Sequence, residues 1–248
     1  MAAPITTSPK EDGRYSRSSY WDKVYRSEAS EHKPSDDEEW IFNYVSLKNF
    51  LPLEDSSFVV DVGCGVSSLL SEIRCGGYKG RLLGLDFSEV GIKSAIDRYV
   101  DSNIEYVCAD ACELLSYTKS DTVDLIIDKT AIDSQLCAGA SGRSNIMRYM
   151  LAVGRSLKEE GVFVWATFEG PEPYGWDIVN GTLIPGLTSS NDFHGLDWSL
   201  DIHVWQDQMF YPENPHLKPT LYIFKKVHKS PRFLGDDVSA LDATTHYH

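Results

Sequence analysis

The stretch FVVDVGCGVSSLL, Phe58 to Leu70, decides the fold. Its first half is a continuous apolar run with β-branched residues, which predicts a strand buried on both faces of a sheet. Gly63 and Gly65 then allow the backbone to turn tightly and to approach a ligand closely. Behind them, Ser67 or Ser68 is placed to cap a helix. Strand, glycine turn and helix indicate the first unit of a nucleotide-binding α/β fold.

Strand and helix patterns alternate downstream of this stretch. Four further apolar runs predict strands: RLLGLDFS, IEYVCAD, TVDLIID and GVFVWATF. The five strands, with helical patterns between them, predict an α/β fold with an open, doubly wound, mostly parallel sheet. Two alternating stretches then follow without an intervening helix and predict a C-terminal antiparallel hairpin: DWSLDIHVWQ and PTLYIFKKV. The expected sheet is therefore seven-stranded.

Composition limits the classes of partner. The 248 residues carry 23 Lys and Arg against 37 Asp and Glu, a net charge of −14. This acidity disfavours nucleic acid and suits either a basic partner or solubility alone. The five cysteines include no C-x-x-C pair, which favours a reducing compartment and predicts no metal site. No apolar run is long enough to span a bilayer, so we expect a cytoplasmic protein without a membrane partner.

Four successive predicted strands each end at an aspartate: Asp61, Asp86, Asp110 and Asp128. The carboxyl ends of parallel strands meet at the sheet edge where ligands of such folds bind. The second of these acids follows the glycine turn by about 20 residues, a spacing suited to accepting hydrogen bonds from both ribose hydroxyls. At the third, a carboxylate can accept from the exocyclic amine of adenine.

The same residues discriminate between two nucleotide cofactors. A dinucleotide is compatible with the two glycines, but Ser68 stands where the third glycine of G-x-G-x-x-G belongs. Asp61 beside the turn would repel a pyrophosphate, whereas it suits the ammonium of an amino acid. S-adenosylmethionine combines adenosine with an amino acid, and it is the predicted cofactor. A nicotinamide-dependent reductase and a non-catalytic binding module remain as alternatives.

The ordered set VVDVGCG, LDFS, CAD and IIDK resembles the class I S-adenosylmethionine-dependent methyltransferases. SYWDKVYRSEASEHKPSDDEEW, GCGVSSL and DKTAIDSQLCA are similar to segments of the methyltransferase-like family that contains the elongation factor 1-alpha lysine methyltransferases. This resemblance implies a Rossmann-like methyltransferase domain over residues 20–227, whose residues 20–51 form an N-terminal helix or lid. Residues 1–19 are expected to be a disordered leader and residues 228–248 a tail, and residues 169–197 resemble a long loop.

The resemblance also implies where functional residues lie. The N-terminal segment through residue 51, called the leader from here on, should fold over the cofactor, and Lys129 should lie close to the site. The expected cofactor-binding residues are Trp21, Tyr25, Asp61, Gly63, Cys64, Gly65, Asp86, Phe87, Ser88, Asp110, Ala111 and Asp128. The expected catalytic residues are Asp128, Lys129 and Asp133. The candidate walls of an acceptor pocket are Trp165, Phe168, Trp176, Trp198 and Trp205.

Three departures from the family pattern surround this site. Val24 stands where the family often has arginine, Val66 replaces an asparagine, and Thr130-Ala131 replaces Gly-Thr. The first functional hypothesis is a protein methyltransferase acting on a lysine or N-terminal amine of a basic protein, such as a translation elongation factor. The second is a small-molecule N-, O- or S-methyltransferase, and the departures keep that alternative open.

Overall fold

The computed structural model describes residues 13–30, 39–100, 103–189, 196–206, 218–228 and 242–248. The strands of these ranges are β1 Phe58–Val62, β2 Arg81–Asp86, β3 Glu105–Cys108, β4 Val123–Lys129, β5 Leu157–Thr167, β6 Leu196–Val204, β7 Thr220–His228 and β8 Asp242–Tyr247. The α-helices are α1 Ser18–Ser30, α2 Tyr44–Leu47, α3 Leu69–Cys75, α4 Glu89–Arg98, α5 Leu115–Thr118, α6 Ala131–Leu136, α7 Gly139–Ser156, α8 Trp176–Ile178 and α9 Ile184–Thr188. Further helical turns, of the 3-10 or π type, are Arg14–Ser16, Ala111–Glu113, Pro171–Gly175 and Val179–Leu183.

All eight strands of the described ranges belong to one sheet, in the order β3-β2-β1-β4-β5-β7-β6-β8. The five strands from β3 to β5 are parallel, and β7 pairs antiparallel with both β5 and β6. The predicted α/β sheet and its C-terminal hairpin are therefore confirmed. Strand order reverses between β1 and β4, and this is the place where doubly wound sheets bind ligands.

The core fills both faces of this sheet. On one face, Val60 and Ile126 pack with Ile146 and Val153 of α7. On the other face, their strand neighbours Val59 and Leu125 pack with Leu69, Leu70 and Ile73 of α3. Residues along a strand alternate between faces, so a strand covered on both sides must be apolar throughout. The continuous apolar runs of the sequence therefore correspond to the central strands.

The sheet has one strand more than the predicted seven, because β8 lies in the segment predicted as a tail, residues 228–248. This strand pairs parallel with β6 along its whole length. Its side chains are short or polar and mostly exposed, so no apolar alternation reveals it. Its pairing rests on backbone hydrogen bonds and on His246, whose ring stacks on His203 at 4.6 Å. Residues 229–241 of the predicted tail lie outside the described ranges.

Two more segments differ from their predictions. Residues 1–19 were predicted to be disordered. Residues 1–12 lie outside the described ranges, but Tyr15 is buried and α1 begins at Ser18. The segment predicted as a loop, residues 169–197, contains helical turns between Pro171 and Thr188, interrupted by non-helical backbone at Glu172, and β6 begins in it at Leu196. Residues 190–195 are not described. A glycine of this segment allows close packing on α7, because a Cβ on Gly186 would lie 2.5 Å from the Cβ of Met150.

Among the described helices, none has both the length and the apolar character needed to cross a membrane.

Candidate active site

The glycine turn lies at the carboxyl end of β1, between α6 and α1. Gly63 and Gly65 have φ values of 73° and 48°, in the left-handed region that favours glycine. A Cβ on Gly63 would lie 2.5 Å from the Cβ of Ala131, and one on Gly65 would collide with the Tyr25 hydroxyl. The turn therefore needs both glycines for backbone conformation and for space.

Asp61, just before this turn, is a buried acid. It is 1% exposed, and within the described ranges neither carboxylate oxygen has a hydrogen-bond partner. Burial raises the pKa of Asp61 to about 7, although the nearby Lys129 charge opposes the shift. Because buried polar groups are nearly always hydrogen-bonded, two orphaned oxygens indicate a place for donors supplied by a ligand.

Asp86, at the end of β2, binds the backbone of the turn. Its Oδ2 accepts from the amide of Gly65 at 2.9 Å, and its Oδ1 accepts from the amide of Ser88 at 2.7 Å. Burial raises the pKa of Asp86 to about 6, against the effect of these two bonds. Each carboxylate oxygen has a second lone pair, so the predicted acceptance of ribose hydroxyls is compatible with this geometry. Ser88 caps α4 and donates to Asp22 at 2.6 Å.

The leader covers the glycine turn through an aromatic cluster. This leader cluster consists of Tyr15, Tyr20, Trp21, Val24, Tyr25, Trp40, Val66, Phe87, Val90 and Cys137. Tyr25 packs against Gly65 and Gly91, and the ring centroid of Trp21 lies 6.0 Å from that of Tyr25. The indole nitrogen of Trp21 donates to the carbonyl of Tyr15 at 2.7 Å. The leader thus packs on the glycine turn.

Two of the three departures from the family pattern meet in this cluster. Val24 comes from α1 and Val66 from the glycine turn, and both pack against the aromatic rings. Each replaces a polar residue of the family. The contact between leader and turn is therefore more apolar here than the pattern implies.

A buried ion pair joins the leader to the other side of the turn. Lys129, 7% exposed at the end of β4, donates to Glu39 and to the Ser67 hydroxyl, the latter at 2.9 Å. Glu39 also accepts from the amide of Ser68 at 2.6 Å. Burial alone would raise the pKa of Glu39, but Lys129 and Ser68 hold it below its ordinary value. Lys129 thus lies beside the glycine turn, between Ser67 and Glu39.

Asp128 holds the start of α6. Its Oδ1 accepts from the amides of Ala131 at 2.9 Å and Ile132 at 3.2 Å. Its Oδ2, like the Tyr149 hydroxyl of α7, is buried without a hydrogen-bond partner in the described ranges. Burial raises the pKa of Asp128 well above its ordinary value. Burial raises the pKa of Tyr149, and the nearby Asp128 carboxylate raises it further.

Thr130, the third departure, occupies the left-handed region, with φ 65° and ψ 6°. The family has glycine there, which adopts this conformation without strain, whereas a β-branched residue does not. Strain of this kind costs about 1–3 kcal/mol and is found mainly at functional sites. The bend between β4 and α6 is therefore strained in this chain.

Asp133 faces β5 with both of its oxygens engaged. Its Oδ2 accepts from the indole nitrogen of Trp165 at 3.0 Å, and its Oδ1 accepts from the Thr167 hydroxyl at 2.6 Å. Burial raises the pKa of Asp133 to about 6, against the effect of these two bonds. Among the candidate walls, Trp165 stacks on Tyr222 at 4.7 Å, and both rings are fully buried.

The other candidate walls are dispersed. Trp198 is buried in the core cluster that contains Val60, and Trp176 packs against that cluster. Phe168 is buried in the cluster on the opposite face of the sheet. Trp205 packs on the His248 ring at 5.0 Å and on Phe42 at 4.9 Å. The structure therefore does not bring these aromatic side chains together as one pocket wall.

Three predicted residues remain: Cys64 within the glycine turn, and Asp110 and Ala111 just after β3. Cys64 is buried, and burial raises the pKa of its thiol well above the ordinary value. Asp110 is exposed after β3, where its Oδ1 accepts from the amide of Cys112 at 2.8 Å, and Ala111 packs half-buried on the core. Within the described ranges, no group of three or more His, Cys, Asp or Glu is arranged to hold a metal.

Sequence reasoning missed Glu39 as a site residue. The available signal was the acid–tryptophan pair Glu39-Trp40, which belongs to the leader pattern of the family. Spacing alone did not find it, because its partner Lys129 lies 90 residues away in the chain.

The site as a whole fits S-adenosylmethionine. The orphaned carboxylate of Asp61 suits a cationic ammonium, and the two positive-φ glycines let a ligand approach the backbone. Asp86 has lone pairs for the ribose, and the leader cluster covers the site from solvent. A pyrophosphate would meet the buried Asp61 charge, so the dinucleotide alternative fits less well.

Comparisons with known proteins agree with this fit. A family model described as a methyltransferase domain matches residues 53–218, more than half of the chain. Protein-lysine N-methyltransferase EFM4 of Saccharomyces cerevisiae is 26% identical over 165 residues, which cover 58% of this chain and 71% of that protein.

Two solved structures share the fold. A TehB-like SAM-dependent methyltransferase of Corynebacterium glutamicum has a TM-score of 0.52 at 15% identity, covering 86% of this chain and 98% of that one. Phosphoethanolamine N-methyltransferase 1 of Haemonchus contortus, in complex with phosphoethanolamine and S-adenosylhomocysteine, has a TM-score of 0.55 at 16% identity, covering 91% of this chain and 52% of that one. With the family model matched over most of the domain, the chain belongs to the methyltransferase domain family and is an S-adenosylmethionine-dependent methyltransferase.

Proposed function

We propose that the protein methylates a lysine side chain or an N-terminal amine of a basic protein, such as translation elongation factor 1-alpha. The observation that carries the proposal is the similarity to a protein-lysine N-methyltransferase over 58% of the chain. The leader pattern supports it, because its Glu39 is the residue that joins the leader to the glycine turn. The net charge of −14 suits a basic partner.

The residues around the glycine turn are proposed to hold the cofactor at both ends. Asp61 accepts from the ammonium, Asp86 accepts from the ribose hydroxyls, and Phe87 and Asp110 contact the adenine. Bound there, S-adenosylmethionine supplies an electrophilic methyl group. Trp21 and Tyr25 exclude water from above the turn, which strengthens the electrostatic contacts beneath them.

The chain then contributes mainly position and environment. Holding two reactants in alignment is worth several kcal/mol, up to about 7–11 in favourable cases. An acceptor amine must arrive neutral, because an ammonium has no lone pair, and a low-dielectric setting favours the neutral form. The predicted catalytic residues Asp128, Lys129 and Asp133 are each fixed by contacts to the backbone or to buried side chains. Those contacts support a structural role for each of the three residues, which is to hold the site in shape.

The small-molecule alternative is favoured by one specific observation. Val24, Val66 and Thr130 depart from the lysine-methyltransferase pattern, and all three lie around the glycine turn or the bend after β4. An altered acceptor entrance would accompany a different acceptor. One experiment separates the two candidates.

Purified protein is incubated with tritium-labelled S-adenosylmethionine and purified elongation factor 1-alpha, and in parallel with cell lysate. We expect a labelled protein band, with the label mapped to a lysine or to the N-terminus by mass spectrometry. The Asp61→Asn variant, in which we expect weaker cofactor binding, serves as the control and should give less label. Label found only in small molecules would contradict the proposal and support the alternative.

A further inference from the structure

Tyr106 of β3 lies in one row with Asp61 across the sheet. Asp61 is opposite Gly84 of β2, and Gly84 is opposite Tyr106. The side chains of Asp61 and Tyr106 therefore point to the same face of the sheet, the face on which Val59 packs. Within the described ranges, the Tyr106 hydroxyl and both oxygens of Asp61 are buried and have no hydrogen-bond partner. A donor and an acceptor of this kind on one face are complementary.

Gly84 allows the ring of Tyr106 to lie over β2. A Cβ on Gly84 would lie 2.7 Å and 2.8 Å from Cδ1 and Cε1 of Tyr106, and 3.0 Å from the Sγ of Cys64. The φ of Gly84 is not positive, so space and not backbone conformation explains a glycine inside this buried strand. Neighbouring strands are about 4.8 Å apart. A ring that covers Gly84 therefore brings its hydroxyl to the side of Asp61.

Lys129, the cation near Asp61, has its hydrogens engaged elsewhere. Its ammonium carries three hydrogens. It donates to Glu39, to the Ser67 hydroxyl at 2.9 Å and to the carbonyl of Phe42 at 3.4 Å. These bonds hold the leader on the glycine turn, so Lys129 acts on Asp61 through its charge and not as a hydrogen-bond donor.

The Tyr106 hydroxyl is a donor throughout the physiological pH range. Burial, and after it the nearby Cys64, Tyr99 and Asp61, raise the pKa of Tyr106 above its ordinary value. The hydroxyl therefore keeps its proton. The other tyrosine of this group, Tyr99, donates its own hydroxyl to the carbonyl of Val66 at 3.2 Å.

Charges from three elements face Asp61. Lys129 of β4 favours the ionised carboxylate, whereas Glu39 of the leader and Asp86 of β2 oppose it. A hydrogen bond donated to a carboxylate favours its ionised form. The ionised form is also the one that attracts an ammonium.

We propose that Tyr106 is a positioning residue for Asp61: its hydroxyl donates to one carboxylate oxygen while the other oxygen accepts from the ammonium of the cofactor. This inference rests on the proposed contact between Asp61 and that ammonium. Both hydrogen bonds stabilise the ionised carboxylate, so they form together when the cofactor binds. Tyr106 thus acts on the cofactor through Asp61.

The test measures calorimetric affinity for S-adenosylhomocysteine at about pH 5.5 and about pH 8, on either side of the pKa of about 7 of Asp61. The affinity of the parent should rise with pH, because the ionised carboxylate attracts the ammonium. Tyr106→Phe should bind about tenfold more weakly at the higher pH, since a hydrogen bond to a charged group is lost. At the lower pH, where Asp61 is neutral, it should bind nearly like the parent.

Tyr78→Phe is the matched control. Tyr78 is buried in the core cluster against which Tyr106 packs, and its hydroxyl donates to the carbonyl of Ser57 at the amino end of β1. This variant loses a tyrosine hydroxyl far from the glycine turn and should bind like the parent at both pH values. A merely structural role of Tyr106 would instead weaken binding equally at both pH values, and that result would overturn the inference.

Asp61→Asn and the double variant Asp61→Asn/Tyr106→Phe complete a cycle. Asp61→Asn should bind weakly with little pH dependence, and adding Tyr106→Phe to it should have little further effect. A full additional loss in the double variant, or no loss in Tyr106→Phe while Asp61→Asn binds weakly, would overturn the inference and leave the ammonium contact standing. If Asp61→Asn binds as tightly as the parent at the higher pH, the proposed ammonium contact fails, and this inference fails with it.

Discussion

Asp61 and Asp133 are both buried aspartates near the carboxyl edge of the sheet, and they differ in their partners. Neither oxygen of Asp61 has a hydrogen-bond partner within the described ranges, whereas both oxygens of Asp133 accept from β5. An unsatisfied buried carboxylate is costly unless a ligand completes it, and a satisfied one rigidifies its surroundings. The region around β1 therefore leaves acceptor atoms open for the proposed cofactor, and the region around β5 uses its acceptor atoms to hold its own side chains.

The largest expected effect concerns the ion pair between Lys129 and Glu39, which holds the leader on the glycine turn. Lys129→Met leaves Glu39 buried without its cationic partner, and breaking a buried pair in this way costs about 3–5 kcal/mol. Because Glu39 belongs to the leader, we expect the loss to appear first as undocking of α1. Hydrogen exchange of α1 and calorimetric affinity for S-adenosylmethionine measure it.

Two further variants give this prediction its controls. Lys158→Met removes an exposed pair with Asp124 and should change stability by no more than about 1 kcal/mol. The double variant Glu39→Gln/Lys129→Met removes both charges and should be less destabilised than Lys129→Met alone. Unchanged exchange of α1 in Lys129→Met would show that the leader cluster holds the leader without the ion pair.

The second prediction applies one substitution to both aspartates. Asp61→Asn should weaken S-adenosylmethionine binding about 10–100-fold, because a charged hydrogen-bond acceptor is lost. Asp133→Asn should leave that affinity nearly unchanged and should lower stability by about 1 kcal/mol, since it weakens the bonds to Trp165 and Thr167. Calorimetry gives the affinities and thermal unfolding gives the stabilities. Equal loss of cofactor affinity in both variants would remove the distinction between the two regions.

The pH dependence of Asp61 sharpens the same comparison. Its pKa of about 7 in the folded chain lies above its ordinary value, so its contribution to stability is present at low pH. That contribution is fully present below the unfolded-state pKa of about 4 and is lost progressively as the pH rises to about 7, where the buried carboxyl ionises in the folded chain. Without cofactor, Asp61→Asn should therefore unfold at a higher temperature than the parent near pH 8.5, and thermal unfolding should show this difference shrinking as the pH falls from about 7 to about 4.

Sequence reasoning succeeded where a pattern is local. Alternating strand and helix patterns predicted the sheet and the hairpin, and the strand-ending acids marked its carboxyl edge. Asp61 stood out because the dinucleotide alternative left it unexplained. Strand β8 was missed because its side chains are mostly polar. The helices between Pro171 and Thr188 were missed because they contain proline and glycine, which ordinarily break helices.

Residue roles were harder to predict because they depend on contacts distant in the chain. Asp133 was expected to be catalytic from its position after β4. Its bonding partners lie 32 and 34 residues further on, and no spacing rule connects them. The Lys129–Glu39 pair spans an even longer separation. Which acids face a ligand and which face the core therefore required the folded chain.

The smallest expected effect concerns the bend between the two regions. Thr130 has a left-handed conformation where the family has glycine, so Thr130→Gly should relieve strain and stabilise the protein by about 1 kcal/mol. For a chain of this size that is about 2–4 °C in the unfolding temperature. Thr188, an exposed threonine at the end of α9 whose φ is not positive, gives the matched control, and Thr188→Gly should destabilise. A lower unfolding temperature for Thr130→Gly would mean that the side-chain contacts of Thr130 outweigh its backbone strain, and that the bend is held by packing from both regions.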